Sequence, residues 1–195
     1  MTVDRNLFCY FPTAAVIRRK QMIPTFKYHP DPFGSKVFYK GEPHRCDCCG
    51  KETDVWYESP FYALEDVECL CPWCIADGSA AAKFNGEFQD CACMDHVSDP
   101  EKVRELTERT PGYHGWQQEY WMAHCDDFCA FMGYVGWQEV EKMGLAQEIE
   151  ETYRQDVCGF DFADIRQCMV QGGSMQGYLF RCLHCGKHFL YADCD

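Results

Sequence analysis

Two pairs of cysteines carry the clearest chemistry in the sequence. Cys46 and Cys49 form one C-x-x-C pair, Cys71 and Cys74 form another, and 21 residues separate the two pairs. Four thiolates at this spacing can surround one zinc ion as a tetrahedron. Such a site leaves no coordination position for water or substrate, so the pattern predicts a structural zinc that stabilises the fold.

Neighbouring cysteines and a redox function are the alternatives for this region. Cys48 and Cys69 lie one or two residues from the predicted ligands and can replace Cys49 and Cys71. The spacing of Cys46 and Cys48 leaves one intervening residue, which is shorter than the usual metal-binding turn. A C-x-x-C pair can also cycle between dithiol and disulfide. A thioredoxin-like function leaves the other pair unexplained, which favours zinc.

A third pair, Cys182 and Cys185, repeats the C-x-x-C-G-K motif that begins at Cys46. The glycine lets the backbone bend tightly and direct N–H groups at sulfur. The repeat predicts half of a second zinc site. The candidates for its remaining ligands are His124, Cys125, His188 and Cys194. We expect a ligand from residues 121–132, which would tie the end of the chain to its middle.

An incomplete second site would have a different function. A metal ion held by three protein ligands can bind a water as its fourth ligand and activate that water for hydrolysis. His124, Asp126 and Asp127 lie near the possible ligands and can act as a second layer around the metal or as a general base. Cys125 and His184 are a weaker candidate for a nucleophile and its base, because nothing in the sequence brings them together.

The composition limits the class of protein. The chain has 195 residues, 47% of them apolar, which is enough to bury a core. Its net charge of -13 opposes a phosphate-binding surface, so we expect no nucleic-acid binding. The 16 cysteines, several of them in C-x-x-C pairs, indicate reduced thiols in the cytoplasm rather than a disulfide framework. No segment reaches the roughly 20 apolar residues of a membrane span.

Short strands are predicted to position the cysteine pairs. Strands at 37–39 and 55–57 flank the first pair and form a small antiparallel sheet of the zinc-ribbon kind. Strands at 178–181 and 189–192 flank the third pair as a hairpin. The fold class is therefore α+β, with zinc-ribbon-like sheets and a helical middle segment.

Helices are predicted between these strands. Residues 75–84 form one, weakened by Gly78. Asp99 and Pro100 begin a second helix as its N-cap and first residue. Residues 117–132 are predicted as a third because apolar side chains recur there at helical spacing. These are Trp121, Cys125, Phe128 and Met132. In that interpretation Cys125 can equally be a small buried apolar side chain.

Further helices and the domain boundaries follow. Gly144 divides residues 136–154 into two short helices, and Asp161 caps the last one. We predict an N-terminal appendage at 1–21 and one domain at 22–195. Within the domain, the predicted parts are the zinc-ribbon-like part at 37–95, the helical part at 99–172 and the C-terminal hairpin at 174–195.

Residues 111–121 are unusually rich in aromatic, amide and glycine residues. Such a segment can bind a ligand by stacking and by amide hydrogen bonds. Packing of the rings into the core explains them equally well.

Five segments resemble the CbrC-like family of bacterial proteins. They are residues 26–32, 70–80, 109–113, 115–119 and 178–186. The resemblance covers residues 23–195. It implies a bacterial origin and, through the family name, an association with colicin tolerance, but no biochemical activity.

These observations predict a cytoplasmic zinc-binding protein with a non-enzymatic role in binding or stress response. Its acidic surface is expected to meet a protein partner, and the sequence leaves its oligomeric state open. The alternative is a metal-dependent hydrolase with an open site near Cys182 and Cys185. An exchangeable water on the metal would distinguish the second function from the first.

Overall fold

A computed structural model describes residues 22–195. The predicted appendage at 1–21 lies outside these described residues. Within them the chain forms three small antiparallel sheets and seven short helices, which confirms the predicted α+β class. No helix in this range is both long enough and apolar enough to cross a membrane.

The first sheet is a two-stranded ribbon. Strand β1 (Phe38–Arg45) pairs antiparallel with β2 (Glu52–Tyr57), so the strands predicted at 37–39 and 55–57 are confirmed. On β2, Val55 and Tyr57 point into the core while their neighbours are more exposed, as expected for a sheet with one buried face. The ribbon therefore holds the turn that carries the first cysteine pair.

Three helices follow the ribbon. The single helix predicted at 75–84 is instead two, α1 (Pro72–Ala76) and α2 (Ser79–Phe84), because Gly78 between them takes a left-handed conformation with φ of 76°. Helix α3 (Pro100–Arg109) begins as predicted. The Asp99 side chain accepts a hydrogen bond from the Glu101 N–H at 2.9 Å.

The helix predicted at 117–132 is wrong. This segment contains the short strands β3 (Ala123–His124) and β4 (Asp127–Phe128) and the start of β5 (Ala130–Val135). Residues 127–131 are all buried, and a helix would turn part of such a continuous run toward solvent. Met132 is 44% exposed, so the four apolar side chains do not share one face. Pairing with a distant strand overrides the local helical spacing.

That distant strand belongs to a three-stranded sheet. Its order is β5-β6-β7, where β6 spans Met175–Arg181 and β7 spans His188–Cys194. All neighbours are antiparallel, and Arg181 lies opposite His188 across the closing turn. The predicted C-terminal hairpin is confirmed, and it carries the third cysteine pair at its tip.

Four helices lie between β5 and β6 in the sequence. They are α4 (Trp137–Lys142), α5 (Ala146–Thr152), α6 (Gln155–Cys158) and α7 (Phe162–Cys168). The predicted division near Gly144 and the predicted start at Asp161 both hold. Buried Ile149 and Ile165 belong to the same core as Leu190 of the sheet.

A second, aromatic core joins the middle of the chain to the sheet. The ring of Tyr113 stacks on Phe131 with centroids 4.5 Å apart, and both lie near Trp121 and Phe180. This packing fixes residues 111–131 against β6, which places the loop before β3 beside the C-terminal hairpin.

Candidate metal centres

The turn after β1, called here the first turn (residues 46–51), has a defined hydrogen-bond pattern. The Cys46 N–H donates to the Lys51 carbonyl at 3.0 Å, and the Gly50 N–H donates to the Cys46 carbonyl at 2.8 Å. Gly50 has φ of 70°, a conformation that most side chains disfavour. The Arg45 Nε donates to the Gly50 carbonyl at 3.1 Å and closes the turn from outside.

The turn after β6, called here the second turn (residues 182–187), repeats this structure. The Cys182 N–H donates to the Lys187 carbonyl at 2.8 Å, and the Gly186 N–H donates to the Cys182 carbonyl at 3.1 Å. Gly186 has φ of 77°. Local sequence thus determines both turns, because the repeated C-x-x-C-G-K motif gives the same backbone twice.

The first cluster consists of Cys46, Cys49, Cys71 and Cys74, whose sulfur atoms all lie within 4.8 Å of one another. Two of the Sγ–Sγ distances, from Cys46 to Cys74 and from Cys49 to Cys71, are 4.0 Å. Zinc–thiolate bonds of about 2.3 Å in a tetrahedron place the sulfurs about 3.8 Å apart. Their geometry therefore fits one tetrahedral metal ion.

Two sulfurs of the first cluster differ in their ionisation. A hydrogen bond from the Cys71 thiol, with help from the backbone N–H groups of Cys48, Cys49 and Cys71, lowers the pKa of Cys46 to about 4. The same hydrogen bond and burial raise the pKa of Cys71 far above its usual range. Metal ligation requires thiolates, so a bound cation would favour the ionised form of these sulfurs.

The other nearby cysteines do not join this cluster. The Cys48 Sγ contacts the Ser79 Oγ at 3.6 Å instead. Burial raises the pKa of Cys69 to about 11, and its backbone N–H donates to the Asp47 carboxylate at 2.8 Å. Lys83 donates to the carbonyl of Asp47 at 2.6 Å, which holds the first turn in place.

The second cluster consists of His124, Cys125, Cys182 and Cys185, whose potential ligand atoms also lie within 4.8 Å of one another. The His124 Nδ1 is 3.2 Å from the Cys125 Sγ and 3.3 Å from the Cys185 Sγ. Tetrahedral zinc with one nitrogen ligand would place N and S about 3.6 Å apart. The donors therefore fit a site of three sulfurs and one nitrogen.

The structure thus brings two residues of segment 121–132 to the third cysteine pair. The other two candidates lie elsewhere. The His188 Nδ1 is 3.0 Å from the Glu148 Oε2, and neither His188 nor Cys194 belongs to the cluster.

A tight hairpin turn presents His124 and Cys125. Cys125 and Asp126, at the tip between β3 and β4, have φ of 57° and 53°, which suits the close reversal of a two-residue turn. The Asp126 carboxylate accepts the Ser98 N–H at 2.8 Å, and Lys102 donates to the Asp126 carbonyl at 2.7 Å. Asp126 thus fixes the turn, and the role of general base considered for it has no support in this geometry.

Asp127 lies beneath the second cluster and is almost fully buried. Its carboxylate accepts hydrogen bonds from the Tyr28 hydroxyl at 2.7 Å and from the Lys27 Nζ at 3.0 Å, and it lies 2.9 Å from the His184 Nε2. Burial opposes ionisation of this carboxyl, but the three partners outweigh it and lower its pKa to about 2. Lys27 and Tyr28 were not predicted from the sequence as part of this site. Their only signal was their position in segment 26–32, one of the five that resemble the CbrC-like family.

The thiols of the second cluster differ in ionisation. Burial opposes ionisation of Cys182, but the backbone N–H groups of Cys185 and His184 and the hydrogen bond with His124 lower its pKa to about 6. Residual burial and the neighbouring thiols of Cys182 and Cys185 raise the pKa of Cys125 to about 11. Cys182 is therefore the more readily ionised of these two thiols.

Two catalytic arrangements considered from the sequence are not assembled. The His184 Nε2 is directed at Asp127, whereas the Cys125 Sγ contacts the His124 ring, so no Cys125–His184 pair forms. Cys71 and Cys74 share their cluster with the first pair, so they are not an isolated redox pair.

Two repeated cysteine turns, each completed by two donors from another element, define a cysteine-rich α+β protein of zinc-ribbon-like architecture. The chain belongs to the uncharacterised protein family UPF0167, whose profile matches residues 23–194. No solved structure gives a significant match.

The relatives are bacterial proteins of the same family. UPF0167 proteins of Mycobacterium bovis and Mycobacterium tuberculosis are each 42% identical to this chain over 180 residues, covering 89% of the chain and 94% of the relative. A UPF0167 protein of Pseudomonas aeruginosa is 38% identical over 171 residues, covering 85% and 93%.

Proposed function

We propose that this protein is a zinc-stabilised, non-enzymatic binding protein of the bacterial cytoplasm. The observation that carries the proposal is the completeness of both clusters, each of which offers four donors to one metal ion. A four-coordinate site of this kind has no open position for substrate, and it contributes its binding energy to folding.

The donor set favours zinc over other metals. Thiolates and imidazole nitrogen suit zinc, whereas calcium and magnesium prefer oxygen ligands. In this proposal Cys46, Cys49, Cys71 and Cys74 hold one ion, and Cys182 and Cys185 with His124 and Cys125 hold the other. When bound, zinc would supply a cross-link between elements that are far apart in the sequence.

The hydrolase alternative requires three protein ligands and a water at the second cluster. The presence of a fourth donor argues against it. Asp127, a candidate for the general base, is buried and already accepts hydrogen bonds from Tyr28 and Lys27.

The net charge of the chain and its resemblance to the CbrC-like family support the proposed binding role. The net charge of -13 suits a protein partner with basic groups and opposes nucleic acid. Resemblance to the CbrC-like family adds colicin tolerance as the physiological setting of this proposal.

Metal analysis of the purified protein tests the proposal. We expect two zinc ions per chain, and one in either Cys74→Ser or Cys185→Ser, each with a lowered melting temperature. Cys168→Ser is the matched control, because Cys168 is exposed on α7 and lies outside both clusters. X-ray absorption should report sulfur and nitrogen neighbours without a water oxygen.

Two results would overturn the proposal. Full zinc content in a Cys46→Ser/Cys49→Ser variant would show that the first cluster does not bind zinc. An exchangeable water on the metal of the second cluster would favour the hydrolase.

A further inference from the structure

An irregular loop before β3 is held by an unusual set of hydrogen bonds. Four consecutive backbone N–H groups, at residues 114–117, each donate to a side-chain oxygen. The pairs are His114 to Tyr134 Oη at 3.0 Å, Gly115 to Glu119 Oε1 at 3.1 Å, Trp116 to Tyr178 Oη at 3.1 Å and Gln117 to Asp193 Oδ2 at 2.9 Å. The loop has no regular secondary structure, yet its backbone is fixed at every step.

The side chains that hold the loop are costly to bury. Glu119, Tyr178 and Asp193 are all buried, and the Tyr178 hydroxyl also donates to the Asp193 Oδ1 at 2.6 Å. Polar groups in the interior lose their hydration, and hydrogen bonds within the protein must offset that free-energy cost. Here those bonds serve to fix an exposed loop, which is the arrangement expected of a preorganised recognition surface.

The fixed loop presents one large aromatic ring. Trp116 is 49% exposed, whereas Tyr113 and Trp121 of the same segment are fully buried. The Trp116 Nε1 donates to the Gly173 carbonyl at 3.0 Å, which uses the only donor of the side chain and sets the orientation of the ring. The half-exposed ring, whose only donor is already used, therefore offers a partner its π system.

The neighbouring amides present acceptors. The Gln117 Nε2 donates to the Cys194 carbonyl at 3.0 Å, and the Gln118 Nε2 donates to the Tyr62 hydroxyl at 2.8 Å. The Gln118 Nε2 also donates to the Glu119 Oε2 at 3.3 Å, so its amide oxygen is the group left to accept a hydrogen bond from a ligand. The Gln117 amide keeps its oxygen and one N–H.

The chain segments next to the ring lack basic residues, and an acidic residue lies beside them. Residues 111–125 and 169–176 contain no lysine or arginine. The exposed Asp195 lies beside this surface, because its N–H donates to the Ser174 carbonyl at 3.0 Å next to the Gly173 that Trp116 contacts. A π face, amide oxygens and a carboxylate together attract a cation.

We propose that residues 114–118 bind an arginine side chain in a basic segment of a partner protein, with its guanidinium over Trp116. Arginine fits better than lysine because its planar group stacks on indole and donates to several acceptors at once. The inference rests on the proposed binding role and names the chemistry of the partner.

A capped Gly-Gly-Arg-Gly-Gly peptide tests this surface by NMR titration of the zinc-loaded protein. We expect shifts confined to the amides of 114–118 and the Trp116 indole, and weaker binding by the matched lysine and citrulline peptides. Trp116→Ala should weaken binding about fivefold or more, and Trp116→Phe less. Leu64→Ala, which truncates a fully exposed side chain elsewhere, is the control.

Three outcomes would overturn the inference. The first is that the citrulline peptide binds as well as the arginine peptide. The second is that the shifts spread over the acidic surface and persist in Trp116→Ala. The third is that methyl glucoside shifts the loop where arginine does not, which would assign the loop to carbohydrate binding. Zinc content and melting temperature are measured for each variant. A negative titration with two zinc ions retained overturns this surface alone, whereas low zinc content contradicts the proposed function.

Discussion

The Nε2 of His184 lies 2.9 Å from the Oδ2 of Asp127, and this contact joins two hairpins that are far apart in sequence. His184 sits between the two cysteines of the second turn, and Asp127 lies two residues after Cys125. The same carboxylate accepts a hydrogen bond from Tyr28, so three segments of the chain meet at one buried group next to the second cluster.

Loss of this carboxylate should destabilise the protein. In Asp127→Ala, the Tyr28 hydroxyl and the Lys27 ammonium lose a buried acceptor, so we expect the free energy of unfolding to fall by about 2 kcal/mol. Tyr28→Phe removes one partner and should cost less. Denaturant unfolding in excess zinc measures both, with Asp164→Ala on the exposed face of α7 as control. Unchanged stability in Asp127→Ala would contradict the assigned contacts.

The structure separates the cysteines of the first cluster from the adjacent cysteine Cys48. We expect Cys48→Ser to retain two zinc ions per chain, because its sulfur contacts Ser79 and lies outside the cluster. Cys49→Ser, one residue away, should lose one ion. Metal analysis of the two purified variants tests this prediction. Equal zinc loss in both would show that Cys48 and Cys49 are interchangeable.

His29 should make the protein sensitive to mild acid. The ring is buried between the Pro111 carbonyl and the Ser35 hydroxyl, and burial lowers its pKa from 6.5 to about 4. A group whose pKa is lowered by folding stabilises the native state above its unfolded pKa. That contribution is lost as pH falls from about 6.5 to about 4, and it amounts to about 3 kcal/mol.

His29→Gln provides the comparison, because it cannot titrate in this range. The difference in unfolding free energy between wild type and His29→Gln should shrink as pH falls from 6.5 to 4. Zinc loss in acid affects both proteins and cancels from the difference. A difference that stays constant with pH would rule out the buried neutral imidazole.

The loop at 114–117 should resist hydrogen exchange. Its four N–H groups are bonded to side chains, so we expect protection close to that of β6 despite the irregular backbone. In Tyr178→Phe the Trp116 N–H loses its acceptor and should exchange markedly faster, while the amides of α5 serve as the internal control. Rapid exchange of residues 114–117 in the wild type would contradict the rigid loop.

Sequence predicted the features that depend on short-range chemistry. The C-x-x-C-G-K motif determines its turn locally, and short strand-forming runs beside the cysteine pairs identified the first ribbon and the C-terminal hairpin. The partners of the second turn were left open, because the approach of His124 and Cys125 depends on β5 pairing with β6 far along the chain. The same pairing made the helix predicted at 117–132 wrong. In the aromatic segment, sequence could not separate exposed Trp116 from buried Tyr113, since burial there depends on packing against β6.

The two clusters span different lengths of chain, and this has a consequence for synthesis. Cys46 and Cys74 are 28 residues apart, whereas His124 and Cys185 are 61 apart. The longer loop costs only about 0.7 kcal/mol more to close, too little to set an order of assembly. Translation sets it instead, because the chain is made from its N-terminus and all four cysteines of the first cluster are synthesised before Cys125. With zinc in both clusters as proposed, a nascent chain can hold zinc in the first cluster before Cys182 and Cys185 of the second cluster have been made.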